Sequence, residues 1–448
     1  MDRGLKVKRF PRVWFGSLSL LLLFVFSWGF WGETIADLDP RAPLSPHIFA
    51  AMALAAWMAV GHLWFQRVPK AQALIVILLG AAIVRGLLLT TDPLLSDDLW
   101  RYLWDGEVQR QGLSPYGVPP ADPSLDVIAT SEDWQRVRER INHPQIPTVY
   151  PPVAQGAFRF FAQSAESWRW AMVLVDLAIG GLLMFWLNRK SLDPRRSLYW
   201  CWHPLPILES AIGGHVHLLA LLFLATALIF IELKRVRWSA ALLSLATATL
   251  LVPVGLFFHL LKKLGTHAAL IFVGLLVVIA LLSIPVWDDP VTEGLGAYAG
   301  TWYSGGWLFE ALGFLIGADV HDATDPVTRV LRVFMVASWW VLAWWVRNLE
   351  TWQATRILML GFLLLSPTLH PWYALWLLLP VVISPSAGSL LLTVTVLFNY
   401  GVLDRWRGEG VWEFPATTGY WVFSLPLMIL LLEGWRATRR ASSIPSRE

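Results

Sequence analysis

The stretch Ser96-Asp97-Asp98-Leu99-Trp100-Arg101-Tyr102-Leu103-Trp104-Asp105-Gly106 sets three carboxylates and an arginine just beyond an apolar run that ends near residue 90. Ionisable groups at that depth cost free energy unless they pair tightly or do chemistry. Hydrophobic types make up 56 % of the 448 residues and charged types only 15 %, with 28 tryptophans, a balance that no soluble core can hide. Apolar runs near 14–32, 47–65, 71–90, 170–187, 198–212, 216–233, 265–284, 333–346, 357–367, 373–384, 388–403 and 417–435 are parted by short polar punctuation. Several reach the roughly 20 residues that cross a bilayer, and the shorter ones must be tilted, broken or buried in protein. The expected fold class is all-α, a polytopic membrane protein of about 12–14 transmembrane or re-entrant helices.

Lysine and arginine set the orientation, because cytoplasmic loops accumulate them. Lys6, Lys8, Arg9 and Arg12 precede the first run, and Arg67 and Lys70 follow the second. Arg189, Lys190, Arg195 and Arg196 follow the fourth, and Arg436, Arg439 and Arg440 follow the last. The connection 285–326 instead carries Asp288, Asp289, Glu293, Glu310, Asp319, Asp322 and Asp325 without Lys or Arg, which fits an exoplasmic loop. Both termini are then cytoplasmic. The net charge of +3 reports this topology and not nucleic-acid binding. Cys201 is the only cysteine, so no intrachain disulfide staples the loops.

The segment 238–261 has Lys234, Arg235 and Arg237 before it and Lys262 and Lys263 after it, so both its ends read as cytoplasmic. Pro253 near its middle removes a backbone donor and breaks a helix. Half-helices at depth are tolerated only against protein or a cavity, and a broken, re-entrant pair is expected. The basic leader reads as the start of a first transmembrane helix and not as a cleavable signal, because the apolar run beyond it is long. The chain is therefore read as one transmembrane domain, 1–448, with a large exoplasmic loop at 91–167 and a second at 285–326.

The larger loop is too long for a connector. Leu99, Trp100, Leu103, Trp104 and Val108 recur at helical spacing, predicting an amphipathic helix over 97–111, stopped by Gly112 and lying along the membrane interface. A second, polar helix is expected over 132–141. Ser114-Pro115-Tyr116, Pro119-Pro120 and Tyr150-Pro151-Pro152 fix extended or turn backbone between and after them.

These residues carry a resemblance. Asp97-Asp98-Leu-Trp-Arg-Tyr-Leu-Trp-Asp-Gly, then Gly112-Leu-Ser-Pro-Tyr116, then Asn142-His-Pro-Gln-Ile-Pro-Thr-Val-Tyr-Pro-Pro152 resemble the first exoplasmic loop of GT-C superfamily integral-membrane glycosyltransferases. The nearest likeness is to bacterial polyprenol-phosphate-mannose-dependent mannosyltransferases. It extends to Glu209-Ser-Ala-Ile-Gly-Gly-His215 and to Ser366-Pro-Thr-Leu-His-Pro-Trp-Tyr373. Two departures stand out: three segments precede the acidic loop where many relatives have one, and His217 follows the Gly-Gly-His turn where relatives often carry an acid.

The resemblance implies a GT-C-like fold and transfer of a hexose, most often mannose, from a polyprenyl-phosphate sugar to a lipid, glycan or protein hydroxyl, with inversion. It also implies a bacterial inner (plasma) membrane and an active site facing the periplasm or exterior. By that likeness Asp97 is the general base, with Asp98 orienting it, binding acceptor or helping to hold a divalent cation such as Mg or Mn. A base of this kind must sit near the hydroxyl and be partly dehydrated, and two adjacent carboxylates raise one another's pKa. The departing lipid phosphate needs fixed donors, for which Arg101, His370 and Tyr373 are the candidates. Tyr102, Trp104, Tyr150, Glu209 and His215 are candidates for holding the sugar.

Plainer readings stand beside these. Asp97 and Asp98 also suit the N-terminus of a helix. Arg101 can simply pair with Asp98 or Asp105, and most tryptophans suit an interfacial belt. Asp105 is expected to brace the loop, and Arg85 and Asp176 to pair within apolar segments. Arg329 and Arg332 either bind phosphate or snorkel to the interface. No nucleotide-binding loop or His/Cys metal cluster is present in the sequence, so no ATP-driven pump is indicated. A secondary transporter or lipid flippase, with ionisable groups along a midplane path, is the alternative from another class, and a noncatalytic envelope scaffold is a third.

Overall fold

A computed structural model describes residues 9–39, 41–287, 292–415 and 417–442. Its described residues form helices without a strand, and two isolated bridges tie Ser304 and Gly305 to Thr368. Eight of the described helices are long and apolar enough to cross a membrane: Val13–Ala36, Ser45–Phe65, Lys70–Leu88, Ala165–Arg189, Thr266–Ser283, Pro326–Val346, Ala387–Glu409 and Thr418–Arg439. Shorter apolar helices run over His217–Glu232, Trp307–Ile316, Thr351–Leu365 and Pro371–Ile383. Exposed Phe15, Leu22, Phe26, Leu174, Phe185, Leu282, Val333 and Leu431 stud their outer faces. An apolar surface of that extent is unfavourable in water and favourable in lipid. The inward faces bury Trp28, Trp168, Trp200, Trp202, Trp352 and Trp376 in one continuous core.

Hydrogen bonds sort the connections into two ends. At one end Arg195 donates to the Phe65 carbonyl, Arg196 to that of Ile383 and Lys263 to that of Asn348, while Lys190 pairs with Glu232 and Ser386 with Glu433. At the other, Asp404 accepts from Leu44 and Ser45, Arg169 donates to the carbonyls of Leu88, Thr91 and Ala211, and Asn399 donates to that of Leu369. The described lysines, Lys70, Lys190, Lys234, Lys262 and Lys263, belong to the connections of the first end. The acidic loop belongs to the second.

Proline breaks appear where the chain must bend. Helix Val236–Thr249 ends at Leu250 in extended backbone, Pro253 sits in the short turn Val252–Leu256, and Phe257–Leu264 follows. Lys234 and Lys263 both lie near His259, so the segment goes in and returns, as its flanking charges predict. The run 198–212 is also divided, into Leu198–Cys201 and Pro204–Ala211, because Pro204 cannot continue a helix and His203 caps the second piece. Arg85 pairs with Asp176, and Trp200 Nε1 donates to the other carboxylate oxygen at 2.7 Å, all within the core.

The acidic stretch forms helix Asp98–Arg110, ended by Gly112 at φ +77°. An interfacial helix would leave one face wet, but nine of these thirteen residues are buried, a departure from the expectation of a helix lying along a surface. Leu99, Tyr102 and Leu103 join the main core, whereas Trp104 and Val108 pack on Leu125, Ile128 and Ile141 in a core of the loop's own. The polar helix over Glu132–Glu139 has no buried residue. Helix Pro152–Phe161 was not expected from the Pro151-Pro152 pair. Pro151 is extended, and Pro152 stands at the first helical position, where a missing N–H costs nothing. Within the second loop, described helices cover Thr292–Thr301 and Trp307–Ile316; Asp288 and Asp289 lie outside the described residues.

Candidate functional site

A cavity of about 1200 Å³ opens at the end of the bundle that carries the acidic loop. Its walls come from residues 92–101 and 140–151 of that loop, from the helix Thr292–Thr301 and the chain after it, and from residues 366–376 and 399–414. The broken segment contributes Leu250, Leu251 and Val252. Of the residues singled out in the sequence, Asp97, Asp98, Arg101, Tyr150, His370 and Tyr373 all line it.

Asp97 stands at the N-cap of helix Asp98–Arg110, yet its side chain makes no capping hydrogen bond. Burial and the neighbouring Asp98 charge push its carboxyl up to about 6, against an opposing pull from the Arg140 guanidinium. Asp98 is held at both oxygens: Asn142 Nδ2 donates to Oδ1 at 3.3 Å and Tyr150 OH to Oδ2 at 3.2 Å. The charge of Asp98 also acts on His143, Tyr298 and His370, which puts it amid the cavity's polar groups. Arg101 Nε donates to Asp105 Oδ1 at 2.8 Å and Nη1 to the Ile146 carbonyl at 3.0 Å, but buried Nη2 has no partner among the described residues. Asp105 accepts in turn from Gln155 Nε2 at 2.8 Å. It braces the loop, and one guanidinium nitrogen is left over.

Across the cavity, His370 begins the turn Pro371–Ala374 and stacks on Trp372, ring centroids 4.5 Å apart. Burial holds its pKa down at about 4, although Asp98 pulls the other way. His370 is therefore a neutral imidazole at pH 7, able to offer an N–H but not a full charge. The hydroxyls of Tyr373 and Tyr298 meet in a short hydrogen bond on the same wall. Two backbone hydrogen bonds hold this wall, Ser304 N–H to the Pro367 carbonyl and Leu369 N–H to the Ser304 carbonyl at 2.6 Å. Neither Tyr298, His143 nor His217 was chosen from the sequence, yet all three line the cavity. They sit far apart in the chain, His143 and His217 within or next to the quoted motifs but with no role read for them, and only the fold brings the three together.

Four candidates lie outside the lining. Tyr102 is fully buried, stacked on Phe158 at 4.6 Å, and Trp104 is enclosed in the loop's own core beneath the Arg138 guanidinium. Tyr102, four residues after Asp98, shares its side of the helix, with its hydroxyl 3.5 Å from that of Tyr150, but the rings of Phe158, Tyr150 and Trp168 enclose it; Trp104 is enclosed by Leu125, Ile128 and Ile141. Glu209 and His215 are each 0 % exposed and sit behind the wall, where carboxylate Oε2 lies 2.7 Å from imidazole Nδ1. Arg332 donates to the Trp302 carbonyl at 2.8 Å and Arg329 to that of Ala323, and neither lines the cavity. No three His, Cys, Asp or Glu side chains are grouped as a metal site among the described residues. A divalent cation held by Asp97 and Asp98 would need substrate oxygens to fill its shell.

The Gly213-Gly214 turn explains how His215 reaches Glu209. Gly214 has φ +61°, and a Cβ on Gly213 would fall 2.5 Å from His215 Nδ1. Gly213→Ala is expected to cost about 1–3 kcal/mol by displacing the ring, read as a lower melting temperature in detergent. Gly156→Ala, which meets nothing within 4 Å, serves as control and should be neutral or slightly stabilising. Equal melting of both variants would show that the turn tolerates a side chain. Compared with known proteins, the chain matches no family model, no curated sequence and no solved structure.

Proposed function

We propose that this chain is a GT-C-like glycosyltransferase that moves a hexose, most simply mannose, from a polyprenyl phosphate to an acceptor hydroxyl. One observation carries the reading: adjacent carboxylates and a partnerless guanidinium nitrogen share a large cavity walled by aromatic side chains. Asp97 is the base, because both Asp98 oxygens already accept hydrogen bonds and those of Asp97 do not. As the acceptor oxygen attacks the anomeric carbon, its proton passes to Asp97 and the bond to the phosphate oxygen breaks on the opposite face. A β-linked donor then gives an α-linked product. Arg101 faces the charge that grows on the phosphate, while His370 and Tyr373 supply neutral donors. Tyr150 keeps Asp98 oriented beside the base. The basic end of the bundle is cytoplasmic by the positive-inside rule, which turns the cavity to the periplasm or exterior and both termini inward.

Purified protein given radiolabelled polyprenyl-phosphate sugars and membrane extract should label an acceptor and release prenyl phosphate in equal amount. Intact solute carried across vesicles without bond cleavage would support a transporter in its place.

A further inference from the structure

Glu209 was expected at the sugar, yet it sits behind the cavity wall, in contact with two groups that lead to it. Oε1 accepts from the Tyr400 hydroxyl at 2.7 Å, and Tyr400 lines the cavity. Oε2 lies 2.7 Å from His215 Nδ1. The His215 ring stacks on Trp372 with centroids 4.1 Å apart and an interplanar angle of 21°. The other face of Trp372 takes His370 at 4.5 Å and 9°. Trp372 is thus clamped between two imidazoles, one bound to a buried carboxylate and one facing Asp98 across the cavity. Neither His215 nitrogen makes an aligned hydrogen bond among the described residues, so the ring meets Glu209 Oε2 as a close polar contact.

A buried carboxylate is costly unless its oxygens find polar partners, and here Tyr400 donates to Oε1 while the His215 ring lies against Oε2 at 2.7 Å. The partner of one imidazole nitrogen fixes the ring's tautomer and orientation. Resting on the glycosyltransferase reading above, we infer that Glu209 is a positioning residue: through His215 and Trp372 it fixes the ring of His370, and so the N–H that His370 presents to the leaving phosphate. Glu209 itself does not touch the sugar. Tyr400, on the second oxygen, ties the same carboxylate to the segment 399–414 on the neighbouring wall. The arrangement couples two walls of the cavity through one buried acid.

Glu209→Gln keeps the shape and the Tyr400 contact but removes the charge. It should lower kcat by roughly 10–100-fold, the loss of one close polar contact to a buried carboxylate, and leave the KM for the acceptor unchanged. Adding it to His370→Ala should lower kcat little further, because both changes remove one interaction. Multiplicative losses in the double variant, or a raised KM for the sugar donor in Glu209→Gln, would overturn the inference. A second readout is independent of transfer: 15N-imidazole spectra of full-length protein, assigned with His215→Gln and His370→Gln. Glu209→Gln should move both the His215 and the His370 resonances, and an unmoved His370 signal contradicts the coupling. If no lipid sugar supports transfer while the two resonances still move together, the enzymatic reading fails and the clamp stands.

Discussion

Asp97→Asn is expected to reduce transfer by roughly 10²–10⁴-fold, the range lost with a general base. The change is isosteric, and Asp97 makes no side-chain capping bond, so the fold should survive it. An unchanged melting temperature beside lost turnover is the predicted pair of results. Asp98→Asn should cost less in rate, because the amide oxygen can still accept from one of its two present donors, Asn142 or Tyr150. An Asp97→Asn protein that transfers sugar at the native rate would take the base out of this cavity.

The second large effect concerns the fold. Arg85→Met leaves the fully buried Asp176 with Trp200 but without its cation, and should destabilise the protein by about 3–5 kcal/mol. Arg85→Met with Asp176→Leu removes both charges and should recover most of that loss, since well-packed apolar residues often replace a buried pair without cost. Melting in detergent, followed by the loss of monodisperse protein on sizing, separates the two cases. A double variant no better than Arg85→Met would mean that the site needs the pair itself.

The sequence carried the bundle well, for identifiable reasons. Hydropathy marks apolar runs directly, Pro253 marks the broken pair through its missing donor, and flanking Lys and Arg place both ends of that pair together. Asp97, Asp98 and Arg101 were legible because ionisable residues beside an apolar run are rarely idle. Periodicity found the acidic helix but not its placement, since a surface helix has one wet face and this one is covered on both sides by the loop's own core and the main one. Trp104 and Tyr102 went astray for that reason. Glu209 and His215 stand in one motif as separate candidates for the sugar, and the structure sets both behind the cavity wall; nothing in Gly213-Gly214 announces that the turn folds the imidazole back onto the acid. Tyr298, His143 and His217 needed the fold itself, which gathers residues up to 155 positions apart around one cavity.

The pH dependence of kcat/KM tests the central claim most directly, because it reports groups of the free enzyme. In the native protein the rate should rise as the pH passes through about 6, where Asp97 loses its proton. In Asp98→Asn one cause of that elevation is gone, so the limb should move to lower pH. A limb that stays in place when Asp98 is neutralised, or that persists in Asp97→Asn, would contradict the account.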